Sequence, residues 1–308
     1  MNKFDLVEVI KKETTKIKNE VGSFNLLLSG GVDSSTLAAI EKPDRVFTVK
    51  LPYGPMHDEF EDVMKVVKHF KLEDRLTVIE LNEDEFDLCM KEAVKAIGRP
   101  IPHYNIFPLF VMFRKIAGMG IKDVVCGDGP DESMVGYARQ LIMNYLYKVR
   151  DFKAFEQYQG VIDKVLIDPS LMYSILTGKP WEKVRSIMNG KSLVDGMCAV
   201  DMELMRPDMD DMTNKIAEYF GITIHRPYQT ETCDNLMFNL PEEQKIKDFE
   251  YGKALLREVA EIFLPKEIAW RKQKIGGPLV PVNKIKGWNL DPFDKSMYMK
   301  YQEDILSE

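Results

Sequence analysis

The sequence predicts an α/β fold: a parallel sheet with helices on both faces, followed by a mostly helical C-terminal half. Three observations carry this expectation. Short apolar runs alternate with helical patterns as far as Tyr137. Two of those runs end abruptly in small glycine-rich loops, Ser29–Ser35 and Gly127–Glu132. Beyond Tyr137 the patterned segments are mostly helical. Strands that alternate with helices pair in parallel and are covered from both sides. Ligands of such sheets sit at the carboxyl ends of the strands.

The elements follow in order. Residues 3–20 are largely polar, with Leu6, Val9, Ile10 and Ile17 near one face, which predicts a leading amphipathic helix within residues 1–22. Phe24–Leu28 reads as the first strand, and helical spacing starts at Thr36. Arg45–Val49 is the second strand, bounded by Pro43 and Pro52. Phe60, Val63, Met64, Val67 and Phe70 give Glu59–Phe70 a helical period. Arg75–Leu81 is the third strand. Asp84–Ile97 is a helix ended by Gly98 and Pro100, and Phe107–Met119 is another. Asp123–Cys126 is the fourth strand. Further helices are expected over Ala138–Val149, Phe152–Ile167, Trp181–Asn189, Val200–Met205, Met209–Phe220, Tyr251–Phe263 and Pro265–Arg271. Only Thr223–His225 offers another short extended piece. With no internal repeat and no low-complexity linker, residues 23–308 read as a single unit. Its α/β half covers 23–137 and its helical half 138–308.

Composition bounds the function. The 308 residues are 45% hydrophobic and 30% charged, enough for a large core without disulfide or metal staples. A net charge of -7 argues against a whole-surface field for nucleic acid. Cys89, Cys126, Cys198 and Cys233 are widely spaced and form no C-x-x-C pair, which fits free thiols in a reducing, cytoplasmic setting. Met1–Asp5 carries no apolar signal core, and no apolar run is long enough for a membrane span.

The chemistry concentrates in the two loops. Leu26-Leu27-Leu28 runs into Ser29-Gly30-Gly31-Val32-Asp33-Ser34-Ser35. Paired glycines let backbone approach a ligand without a Cβ in the way. The serine hydroxyls and the first N–H groups of the next helix can grip an anion, and Asp33 can hold a cation that bridges phosphates. Neither G-x-x-x-x-G-K-[ST] nor G-x-G-x-x-G is present. The second loop, Gly127-Asp128-Gly129-Pro130-Asp131-Glu132, packs three carboxylates into six residues. Asp131, with Asp33 across the sheet edge, can hold Mg²⁺. Asp128 can orient a substrate amine or take its proton. EF-hand spacing is absent.

Ser29–Ser35 resembles the PP-loop of the ATP pyrophosphatases, which are adenine nucleotide alpha hydrolase-like in fold. Further segments extend the likeness: Phe47-Thr48-Val49, Arg114–Ala117 leading to Gly120–Lys122, the acidic loop with Gly136-Tyr137, and Pro227-Tyr228. Leu240-Pro241, Lys253–Glu258 and Leu264–Lys272 continue it. Together they resemble the asparagine synthetase family in its ATP-dependent synthetase domain. The resemblance implies an enzyme that uses ATP and Mg²⁺ to adenylate a small carboxylate, releasing pyrophosphate, and then forms an amide with ammonia or an amine. It implies nucleotide contacts from Leu28, Ser29, Gly30, Gly31, Asp33, Ser34, Ser35, Val49 and Gly127, with Val49 meeting adenine through its backbone. It implies metal contacts from Asp33 and Asp131, and catalytic roles for Asp128 and a lysine after the Trp270-Arg271 string. Either Lys272 or Lys274 fits the last role. A homodimer is compatible with it.

Two departures limit what carries over. Full-length members bear an amino-terminal glutaminase domain that starts with a nucleophilic cysteine. This chain has Asn2 and reaches its loop at Ser29, so the nitrogen is expected from free ammonia, another amine or a separate glutaminase. Where the family reads Glu-x-Arg-x-Pro-Phe-Leu-Asp, this chain reads Thr223-Ile224-His225-Arg226-Pro227-Tyr228-Gln229-Thr230, and Asp128 replaces a Glu or Gln. Aspartate is therefore not secured as the acceptor. Arg99–Asn105 is a candidate substrate-side loop. Two other readings keep the nucleotide site: a PP-loop enzyme that modifies a nucleobase or tRNA, and a nucleotide-binding subunit of a separate glutaminase.

Overall fold

The computed structural model describes residues 1–51, 59–81, 86–103, 105–149, 168–272 and 295–307. Among them, five strands form one parallel sheet: β1 (Asn25–Leu27), β2 (Arg45–Lys50), β3 (Leu76–Glu80), β4 (Asp123–Val125) and β5 (Thr223–His225). The order is β3-β2-β1-β4-β5. The short extended piece at Thr223 is thus an edge strand of the main sheet, which registers Val125 against His225.

Alternation along the strands explains the layers. Leu26, Val46 and Val125 enter one core, with helices α1 (Lys3–Val21), α2 (Val32–Ile40) and α3 (Phe60–Phe70). Leu27, Phe47 and Val124 enter the opposite core, with α4 (Phe86–Ile97), α5 (Ile106–Gly118), Met212 and Ile216. Successive residues of a strand point to opposite faces, so these short apolar runs serve two cores. A third cluster, around Val135, Leu141, Tyr173, Val194 and Met197, holds the helical half together.

Local chemistry sets the element ends. Asn2 caps α1: its side chain accepts from the Phe4 and Asp5 N–H groups, and Asp5 accepts from the Asn2 N–H in return. Gly22, at φ 77°, ends that helix in the left-handed region. Leu6, Ile10 and Ile17 of α1 are buried in the same core as Leu255 and Val259.

The helical half departs from expectation in several places. The helix expected over Val200–Met205 is instead a wide π turn, Asp201–Met205, which joins the helices Leu193–Val200 and Arg206–Tyr219. Its buried Asp201 carboxylate accepts from Arg139, Gln140 and Tyr173. The helix expected to start at Tyr251 starts at Ala254, because Lys253 has φ 54° and Gly252 bridges to Ile246. Pro169–Thr177, Glu231–Phe238 and Lys295–Ser307 are helices the periodicity did not single out. The segment Phe152–Ile167 lies outside the described residues. No helix among the described residues is long and apolar enough to cross a membrane.

Candidate active site

Both glycine-rich loops leave the sheet at its carboxyl edge and touch. Leu28 N–H still pairs with the Phe47 carbonyl at 2.9 Å. The chain then turns through Ser29, Gly30 and Gly31 into α2. Gly31 caps that helix with no side chain, so its opening N–H groups carry no side-chain acceptor. Gly30 has φ 70°, and a Cβ there would lie 2.7 Å from the Val63 nitrogen of α3. A Cβ on Gly127 would lie 2.8 Å from the Ser34 nitrogen. Glycine is thus required where each loop packs on its neighbour. The Ser34 hydroxyl accepts from Ser29 N–H at 3.2 Å and lies 3.2 Å from the Ser29 hydroxyl. Ser35 is fully buried, and its hydroxyl has no partner and lines neither cavity described next.

Two cavities meet here. The larger, about 220 Å³, has an apolar side of Leu27, Val49, Pro108 and Phe113, and a polar side that includes Ser29, Ser34 and Asp128. The smaller, about 20 Å³, is lined by Gly31, Lys253, Arg257, Arg271 and Lys272 among others. Asp33 and Asp131 line both and form the wall between them. The sequence-predicted residues Leu28, Val49, Gly127, Asp33 and Asp131 are therefore brought together.

Lys253 sits in that wall. Its Nζ lies 2.7 Å from Asp33 Oδ2 and 2.6 Å from Asp131 Oδ1. The Lys253 N–H donates to the Met134 carbonyl at 2.9 Å, and the Tyr228 hydroxyl donates to the Asp33 carbonyl at 3.0 Å. Asp33 Oδ1 is buried without a hydrogen-bond partner. Two carboxylates with an unused buried oxygen suit a hard, oxygen-loving cation such as Mg²⁺, which fills its remaining positions with phosphate and water. The neighbouring Glu132 faces elsewhere and accepts from the Tyr137 hydroxyl. Burial, then the Asp131 charge, raises its pKa to about 8.

Cys126, Asp128 and Thr213 of the larger cavity's lining are joined to a polar group from different segments. Asp128 Oδ2 accepts from the Cys126 thiol at 3.0 Å and lies 3.6 Å from Arg226 Nε. Arg226 also lies 3.5 Å from Asp210 and donates to Asn214 at 2.8 Å and to Thr213 at 2.9 Å. Burial of Asp210 raises its pKa. Sequence reasoning missed this group. The available signal was the i, i+3, i+4 spacing of Asp210, Thr213 and Asn214 on one helix face. The positions that depart from the family pattern have local tasks. His225 Nε2 meets Asp123 at 2.9 Å on the sheet edge, and Thr230 caps the helix Glu231–Phe238 by accepting from Cys233 N–H.

The basic residues divide by role. Arg257 is buried and donates to the carbonyls of Gly252, Ala269 and Arg271. It therefore fastens the chain around the small cavity through Nε and Nη1. Arg271 pairs with Glu59 and Asp62 at the start of α3. Lys272 is exposed, lines the small cavity and lies 3.1 Å from Glu250, which raises its pKa. Lys274 lies outside the described residues. In the expected substrate-side loop, Asn105 lines the larger cavity, Arg99 pairs with Asp208 and Asp211, and Tyr104 is outside the described residues.

Comparison with known proteins agrees with this architecture. The profile of the asparagine synthase family matches residues 16–300. Asparagine synthetase B (glutamine-hydrolyzing) of Escherichia coli is 25% identical over 82% of this chain and 40% of its own length. The root asparagine synthetase (glutamine-hydrolyzing) of Pisum sativum is 31% identical over 82% of this chain and 38% of its own length. The chain thus spans about two fifths of these relatives. The five-stranded parallel sheet with its Ser29–Ser35 loop is the fold of the PP-loop ATP pyrophosphatases. The chain belongs to the asparagine synthase family.

Proposed function

We propose that this chain is an ATP-dependent amide-forming ligase that produces AMP and pyrophosphate. The observation that carries the reading is the wall of Asp33 and Asp131 between an apolar chamber and a small basic cavity. ATP that straddles such a wall has its adenosine against Leu27, Val49 and Phe113, and its β and γ phosphates toward Lys253 and Lys272. The α phosphorus then lies at the wall, open to a carboxylate in the chamber.

In the first step a carboxylate oxygen bonds to the α phosphorus, and the α–β P–O bond breaks. Its electron pair leaves with pyrophosphate. The N–H groups at the start of α2 hold that developing charge, and the Ser29 and Ser34 hydroxyls, on the larger cavity's side, hold the α phosphate. When bound, Mg²⁺ held by Asp33 and Asp131 neutralises phosphate charge. A lysine after Trp270-Arg271, Lys272 or Lys274, adds a cation at the phosphoryl group. In the second step the amine nitrogen attacks the acyl carbon, AMP leaves, and Asp128 takes the proton through Oδ1, since Cys126 and Arg226 both engage Oδ2. We read residues 23–308 as one catalytic unit, with α1 folded onto it.

The nitrogen source we propose is free ammonia, another amine or a separate glutaminase. The acceptor is a small carboxylate, and the Thr223–Thr230 substitutions make aspartate the first compound to test rather than an assumption. A screen of carboxylates with ATP, Mg²⁺ and ammonia tests the reading. The expected products are AMP and pyrophosphate; ADP and phosphate with every active acceptor would overturn it.

A further inference from the structure

We propose that Lys253 is a resident counter-ion of the Asp33–Asp131 pair, which keeps that pair from taking a divalent cation until the cation arrives with a polyphosphate. The inference rests on the reading that these two carboxylates form the metal site. It goes beyond that reading by assigning the order in which metal and nucleotide bind.

The geometry places one ammonium against both carboxylates, at 2.7 and 2.6 Å. The Lys253 side chain is only 5% exposed and that of Asp33 6%, so water screens these charges little. The three charged groups come from three segments that cannot slide freely. Lys253 holds φ 54°, unusual for a residue with a Cβ. A Cβ on the preceding Gly252 would lie 1.7 Å from the Val135 carbonyl oxygen, and one on Gly136 would lie 2.0 Å from Asp131 Oδ1. The backbone around both ends of the pair is therefore closely packed, and the lysine is delivered to its position by the fold.

The trio of charges sums to minus one. A bare dication must displace the ammonium from the two oxygens or sit beside it, and both routes weaken binding. A polyphosphate changes this balance. It reaches Lys253 from the small cavity, which Lys253 lines together with Arg257, Arg271 and Lys272. Its oxygens offer the ammonium another partner and complete the coordination of the cation. Metal and nucleotide are thereby taken together, and Asp33 Oδ1, buried without a partner, is the oxygen held ready for the cation.

The test uses Mn²⁺ as the probe and its electron paramagnetic resonance signal as the readout, on the full chain with circular dichroism as the check of folding. Wild-type protein is expected to bind Mn²⁺ weakly alone and more tightly with α,β-methylene ATP. Lys253→Gln and Lys253→Met are expected to bind Mn²⁺ without nucleotide about tenfold tighter than wild type, the smallest factor one neighbouring charge exerts on a carboxylate. Adding Asp131→Asn to Lys253→Gln should remove the gain. The proposal is overturned if folded Lys253 variants gain nothing, or if the gain survives Asp131→Asn. It is also overturned if wild type binds Mn²⁺ equally with and without the nucleotide analogue, a comparison that needs no variant. Failure of the ligase reading shows separately, as absent pyrophosphate release, and leaves these binding measurements intact.

Discussion

The two ends of the larger cavity are built in different ways. The end where we propose the nucleotide's phosphates is shaped by two backbone loops, that of Ser29–Ser34 and that of Gly127, whose glycines pack against α3 and α2. The other end, where we propose the acceptor, is lined by side chains of separate segments, Cys126 and Asp128 after β4 and Thr213 on the helix Arg206–Tyr219, with Arg226 after β5 joining Asp128 and Thr213 to Asp210 and Asn214. On the proposed reading the backbone loop holds the phosphates of ATP, the substrate common to every acceptor. Side chains can be exchanged one at a time, so specificity can change while ATP chemistry stays. Of the departures from the family pattern, Asp128 stands at this end, while His225 pairs at the sheet edge and Thr230 caps a helix.

Substitutions that separate the two ends follow from this contrast. Asp33→Ala should have the largest effect, lowering pyrophosphate release by about 100-fold or more while the protein remains folded. Retained activity would remove Asp33 from the nucleotide end. Asp128→Asn should act on one end only: amide formation slows by about 100-fold, while pyrophosphate exchange into ATP in the presence of the acceptor stays within a few-fold. Equal loss in both assays would place Asp128 in the first step and erase the distinction.

Arg226→Gln should raise the acceptor KM or lower kcat with the KM for ATP unchanged; a changed ATP KM would link the two ends. Thr230→Ala should be the mildest. It removes a helix cap, lowers stability by about 1 kcal/mol in a denaturant titration, and leaves turnover per folded molecule unchanged. Altered acceptor kinetics would mean that Thr230 has kept a substrate role.

Legibility in the sequence follows the same division. The loops, four of the strands and the pairing of Asp33 with Asp131 were readable, because each depends on a short contiguous pattern. Lys253 was visible only as part of a Lys-x-x-Leu-Arg string. Its meeting with two carboxylates depends on a positive φ and on packing of Gly252 that no local pattern announces. Arg257, in the same string, lines the small cavity and also holds three carbonyls, which no local pattern announces. The π turn at Asp201 was missed because a buried carboxylate answered by Arg139, Gln140 and Tyr173 is a long-range arrangement. The helices after Asp168 and Thr230 did carry readable signals, a capping side chain in each and a proline at the first helical position of the former.

The most direct test of the central claim is the fate of the acceptor oxygen. With an active carboxylate labelled with ¹⁸O, ATP and ammonia, one labelled oxygen per amide formed should appear in the phosphate of AMP. Label found in inorganic phosphate, or none in AMP while amide accumulates, would contradict activation by adenylation.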